Sequence, residues 1–342
     1  FENYEYGSKP STNQKSGQKF VGQKFDYLQK CGKNFIYFAS MQDLRGSWKA
    51  DGTLKKNEDV FKTKWDFVII DEAHEGTQTD LAKQVIGSLN AQKPRFLYLS
   101  GTPYNILDQF KAEEIYTWDY VMEQEAKEKW PKMHPGETNP YEGLAHLNIL
   151  TYNLGTVFDN YNHSEEDYFE FSEFFKTWEG TEDNMPHNAG IGDFVHEKDV
   201  NRFLDLLCKK DKTSNYPFST EEYRKSFVHT LWVVPRVAAA AALSKLLRTH
   251  EYFKDFEVVN VAGEGDKMDT TDDEKEKWMA AKSFEDKVKK AIANPEHKPT
   301  ITLTCYSGRM TTGVTIEEWT GVFMLAGGYN GNIAPYMQTI FR

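Results

Sequence analysis

The sequence predicts an α/β protein with two parallel sheets and an acidic, α-rich stretch between them. Three observations carry that expectation. Phe67-Val68-Ile69-Ile70 is a short, unbroken apolar run with branched side chains, the pattern of a strand covered on both faces. A helical spacing over residues 80–90 (Leu81, Val85, Ile86, Leu89) separates it from a second run at 95–99, with Pro94 breaking the chain between them. Past residue 226 the alternation returns: Leu231-Trp232-Val233-Val234, an alanine-rich helix at 237–250, then strands at 256–261 and 300–304 around a highly charged helical region at 266–294.

Composition agrees with this division. A chain of 342 residues has room for two or three domains with cores of their own, and we expect boundaries at 1–108, 109–225 and 226–342. Hydrophobic residues at 39% and aromatics at 14% describe a globular protein. No apolar run approaches the roughly 20 residues that span a bilayer, and FENYEYGSKP is no signal peptide, so a cytoplasmic location without a membrane partner is expected. Cys31, Cys208 and Cys305 stand apart, as reduced thiols do, with neither zinc nor disulfide spacing. The net charge of −11 argues against a nucleic-acid partner only until it is located. Between residues 109 and 225 there are 24 acidic and 12 basic side chains, which leaves 28 and 29 for the rest. The acidity is confined to the middle.

Residues 1–32 are polar and without period, a loop or a loosely packed helix. Residues 34–39 read as a buried strand leading into Ser40-Met41-Gln42-Asp43, where Ser40 or Asp43 could cap a helix. A charged connection at 51–64 precedes the run 67–70, which ends in Asp71-Glu72. An open parallel sheet places ligand chemistry beyond the carboxyl ends of its strands. Two carboxylates there suit nucleotide hydrolysis: one holds Mg²⁺, usually through water, and the next orients or deprotonates an attacking water. The plainer reading is a strand that stops at an acidic turn. The strand at 95–99 delivers Ser100-Gly101-Thr102-Pro103, whose hydroxyls could bond those carboxylates from 29 residues further on.

In the middle segment a helical stretch at 112–130 should end near Pro131, followed by a strand at 147–152, an aromatic acidic run at 161–178 and a helix at 199–207. His134, His146, His163, His187 and His196 are too scattered for a metal site. The segment reads as an insertion or a connection between lobes. Arg236 follows the strand at 231–234, where a solvated arginine at a helix start is the plain reading.

Asp71-Glu72-Ala73-His74 spells the box for which DEAH-type superfamily-2 helicases and translocases are named, and Ser100-Gly101-Thr102-Pro103 looks like their third motif. Near the end, Arg309-Met310-Thr311-Thr312-Gly313-Val314-Thr315, a strand at 321–325, and Tyr336 to Arg342 (Y-x-Q-x-x-x-R) resemble motifs five and six of the restriction-enzyme-like branch, similar to type I and type III motor subunits. The resemblance implies two RecA-like lobes, the first incomplete, and an ATP-dependent DNA helicase or translocase. ATP and Mg²⁺ would lie between Asp71-Glu72 and Arg342, with Asp71 and Glu72 on the metal and Asp71, Glu72, His74, Gln338 and Arg342 in the catalytic set. Gly313 and Thr315 would join them on the nucleotide, and Arg342 would stabilise charge on the γ-phosphate. Ser100 and Thr102 would couple hydrolysis to the DNA. Ser40, Gln42, Arg236, Arg309 and Thr312 would contact its backbone, alongside other subunits or domains of a restriction or repair complex.

The chain departs from that pattern in two places. It holds no GxxxxGK[ST] loop, since neither Ser16-Gly17-Gln18-Lys19-Phe20 nor Gly263-Glu264-Gly265-Asp266-Lys267 has the spacing, and Phe341 stands where a glycine precedes the arginine. We therefore expect an internal fragment that shows no appreciable ATPase alone, because the phosphates lack their main anchor. The alternatives are a hydrolysis-deficient nucleic-acid-binding scaffold, and a hydrolase in which Asp71, Glu72 and His74 bind a metal directly.

Overall fold

Short branched runs form both sheets, and among the described residues every pairing within these sheets is parallel. The computed structural model describes residues 34–49, 52–77, 79–152, 169–210, 216–263, 284–306, 308, 310–311, 314–327 and 333–340. The expected α/β class holds: sheets of two and four strands fall in two compact units, Phe1–Thr117 and Trp118–Arg342.

In the first unit, two short helices, α1 (Met41–Arg45) and α2 (Glu58–Lys62), precede β1 (Phe67–Ile70). A single turn, α3 (Ala73–Gly76), follows β1, and α4 (Asp80–Asn90) leads to β2 (Arg95–Tyr98). Thr79 caps α4 by accepting the Ala82 amide at 3.3 Å. Side chains alternate along a strand, so the even-numbered residues Val68, Ile70, Phe96 and Tyr98 share one face. They pack with Val85, Ile86 and Leu89 of α4, while Leu44, Val60 and Phe61 extend the same core. Contrary to expectation, the other face stays half open: Phe67, Ile69, Leu97 and Leu99 are 48%, 58%, 41% and 42% exposed.

Residues 34–39 do not form the expected buried strand. Phe35 and Tyr37 turn onto Trp65, with ring centroids 5.6 and 6.2 Å away, while Ile36 and Phe38 point outward. Their alternation is that of a strand, but the backbone joins no ladder among the described residues.

The second unit begins with α5 (Tyr120–Met133), which Asp119 caps by accepting the Met122 amide. This helix runs through Pro131 instead of stopping at it. Proline takes away the hydrogen bond to the carbonyl four residues back. That carbonyl, of Lys127, accepts instead from Asn139 Nδ2 at 2.9 Å. Residues 147–152 are not the expected strand: Leu147 spends its amide on the Tyr120 hydroxyl at 2.7 Å, and Ile149 and Leu150 stand exposed.

Three helices follow, α6 (Phe171–Phe174), α7 (Glu197–Cys208) and α8 (Glu221–Ser226). The four-stranded sheet has the order β4-β5-β3-β6 and comprises β3 (His229–Val234), β4 (Glu257–Asn260), β5 (Thr300–Cys305) and β6 (Gly321–Met324). Helix α9 (Val237–Thr249) links β3 to β4, α10 (Phe284–Ile292) precedes β5, and α11 (Ile333–Ile340) comes last. Trp232 and Val234 of β3 face Phe174, Phe203, Leu204, Phe218 and Leu243, whereas Leu231 and Val233 face Val288, Met310 and Ile316. Both sides are closed, and all six residues of β5 are buried. Residues 169–225, part of the segment read from the sequence as an insertion or a connection between lobes, share one core with this second sheet.

Candidate functional site

The acidic pair lies where the two-stranded ladder of the first unit skips. Leu99 donates its amide to the Ile70 carbonyl at 2.9 Å and accepts the Ala73 amide at 3.0 Å. Asp71 and Glu72 fall between those two bonds, so both bulge from the sheet edge with exposed side chains. Closing so short a bulge forces Glu72 to φ 47°, ψ 46°, the left-handed region that a non-glycine residue occupies at a cost of order 1 kcal/mol. The Glu72 amide turns back to Asp71 Oδ1 at 3.0 Å. An ordinary acidic turn would settle with asparagine or glycine there.

Behind the carboxylates sits a buried histidine. His74 Nδ1 lies 2.8 Å from Ser100 Oγ and 3.4 Å from Glu72 Oε2, with its side chain only 5% exposed. Ser100 Oγ also accepts the Thr102 amide at 3.1 Å, and Thr102 is buried. Ser100 therefore meets the turn through the His74 ring, and Thr102 joins it through its backbone amide. Sequence reading missed Asn105, whose Nδ2 donates to the His74 carbonyl at 2.9 Å across 31 residues, because no local pattern marks it.

Two adjacent, exposed carboxylates fit what Mg²⁺ takes from a protein, one or two carboxylates with the remaining places going to water and phosphate oxygens. Among the described residues no group of three or more His, Cys, Asp and Glu could hold a metal by itself.

The other sequence-derived positions are spread more widely. Ser40 caps α1, accepting the Asp43 amide at 3.1 Å, and Gln42 is exposed on the same helix. Asp43 in turn holds Lys56 Nζ at 2.7 Å and Asn57 Nδ2 at 2.9 Å. In the second unit Arg236 is exposed at the start of α9, offering its side chain to no cap, and Thr315 is exposed after the β5 loop. Gln338 is half-buried on α11. Arg309, Thr312, Gly313 and Arg342 lie outside the described residues.

After β5, residues 308, 310 and 311 are closely held. A Cβ on Gly308 would meet the Cys305 carbonyl at 2.6 Å, so only glycine fits. Thr311 Oγ1 donates to the Gly308 carbonyl at 2.7 Å, and Met310 is buried at φ 71°, a costly conformation for a bulky residue. Left-handed backbone also occurs at Asn57, Lys93 and His297, to which the sequence assigned no chemistry.

Residues 2–105 match the family model described as type III restriction enzyme, res subunit. The chain is also 26% identical over 376 aligned positions to a Mycoplasma pneumoniae protein provisionally named as the C-terminus of a type II restriction enzyme and methyltransferase. That alignment takes in 92% of this chain and 49% of the relative, so the chain spans about half the length of the protein it matches. No solved structure matches it. Both similarities lie with restriction enzymes, and the first covers the unit that carries the acidic bulge. Among the described residues no helix is long and apolar enough to cross a membrane.

Proposed function

We propose that this chain is part of an ATP-driven DNA helicase or translocase of the restriction type, and that Asp71-Glu72 is its hydrolysis site. The observation that carries the reading is the bulge pinned on both sides to Leu99. It presents two carboxylates at the carboxyl end of a parallel strand and holds Glu72 in a strained conformation, backed by the His74–Ser100 contact. Similarity to a restriction res subunit over residues 2–105 supports the same assignment.

Asp71 and Glu72 are the residues that would hold Mg²⁺, which supplies charge neutralisation on the phosphates when bound. Glu72 is the residue to orient the attacking water and draw its proton. His74 keeps the turn in register with Ser100 and Thr102, so a change at the carboxylates is felt along the 100–105 segment. In the second unit Thr311, tied to the Gly308 carbonyl after β5, is where a sugar-phosphate backbone would be met.

The test is nucleotide hydrolysis by the full-length protein with duplex, single-stranded or no DNA, over a range of salt. Hydrolysis stimulated at least tenfold by DNA, and weakened by salt as phosphate contacts are, is expected. DNA binding without any hydrolysis would instead mark a scaffold that has lost turnover, and would overturn the motor assignment.

A further inference from the structure

We propose that Asn105 is a positioning residue for the acidic bulge, holding the backbone of the turn while Ser100 holds its side chain; this rests on the hydrolytic reading of Asp71-Glu72. The α3 turn has only four residues and cannot stabilise itself, because one helical turn fixes several dihedrals for very few hydrogen bonds. Its carbonyls need partners from elsewhere. Thr77 Oγ1 serves the Ala73 carbonyl at 2.7 Å, from within the same segment. The His74 carbonyl is served from a distance, by Asn105 Nδ2 at 2.9 Å.

His74 is therefore held at two points by one stretch of chain: its ring by Ser100 Oγ at 2.8 Å and its carbonyl by Asn105. That stretch is anchored in turn. The Ile106 and Leu107 amides both close on the Pro103 carbonyl, at 2.9 and 3.2 Å, and Ile106 packs with Ile70 and Ala73 beneath the bulge. A single grip would let the imidazole pivot, and Glu72 with it. Two grips from one segment fix both the place and the angle of the turn. Asn105 touches neither carboxylate, so its part is to hold the geometry that Glu72 needs.

The closing experiment uses the full-length protein and three variants: Asn105→Asp, which keeps the shape and loses the N–H donor, Asn105→Ala, and Asn105→Gln, which keeps a donor on a longer arm. Asn105→Asp and Asn105→Ala should lower kcat for ATP hydrolysis about tenfold with KM within about twofold. Asn105→Gln should recover part of the loss, and thermal midpoints should stay together. Amide hydrogen exchange over residues 71–77 should quicken in Asn105→Asp with or without nucleotide. Wild-type turnover together with unchanged kcat in Asn105→Asp would overturn the positioning role and leave the hydrolytic reading standing. A wild-type protein with no hydrolysis would overturn both, and unaltered exchange in Asn105→Asp would show that the grip itself is absent.

Discussion

The two sheets are built from the same kind of strand yet finish differently. The four-stranded sheet of the second unit is closed on both sides, with an aromatic wall of Phe174, Phe218, Trp232 and Phe253 against one face and Val288, Met310 and Ile316 against the other. The two-stranded sheet of the first unit is closed by α4 on one side and half open on the other. Parallel sheets normally bury both faces, so the second unit has the depth to hold itself together, whereas the first has a thin core. The acidic bulge lies on the thinner one. A site that must respond to a ligand is better carried by the less rigid of two frames, since motion is drawn from regions of low local stability.

The largest test of that contrast is Trp232→Ala. Trp232 is fully buried at the centre of the aromatic wall, and truncation should cost about 3–5 kcal/mol, read as a shift in the urea midpoint of the second unit. A loss under about 1 kcal/mol would mean that the wall is not the source of that unit's stability. In the first unit the two faces should differ. Val85→Ala, at a fully buried position of α4, should cost about 2 kcal/mol, and Ile69→Ala on the open face less than about 1 kcal/mol. Equal costs would show the open face to be covered.

A smaller effect separates the units by pH. Burial lowers the pKa of His229, at the start of β3, from its usual 6.5, against a weaker pull upward from Glu318. The unfolded chain therefore takes up this proton at a higher pH than the folded one. Stability is present above pH 6.5 and is lost as pH falls through 6.5 towards the folded value. The urea midpoint of the second unit should drop less between pH 7.5 and 5.5 in His229→Gln than in the parent. Identical drops would remove His229 as the cause.

Much of this was legible in the residues, and what was not follows a rule. Runs whose neighbours lie near in sequence were readable: Phe67–Ile70 and Asp80–Asn90 stand at their expected bounds, and the β3-α9-β4 alternation follows from apolar runs and an alanine-rich helix. Segments whose state depends on a distant partner were misread. Residues 34–39 and 147–152 have strand-like composition but no partner strand among the described residues. Helix α5 passes Pro131 because Asn139, eight residues away, supplies the hydrogen bond that proline removes. The same holds at the site. Asp71, Glu72, Ser100 and Thr102 were singled out by residue type and spacing and His74 by the resemblance, while the strain at Glu72 and the hold of Asn105 come from pairing across β1 and β2 that no local pattern encodes.

The most direct measurement is the fate of bound nucleotide in the full-length protein carrying Glu72→Gln, with Mg²⁺ and DNA present. Nucleotide affinity should stay within about twofold of the parent, while the hydrolysis rate falls by at least about 100-fold, roughly 2.7 kcal/mol of lost transition-state stabilisation. Hydrolysis at close to the parent rate would show that Glu72 does not orient the water, and that the strained bulge at the end of β1 is not the hydrolytic site.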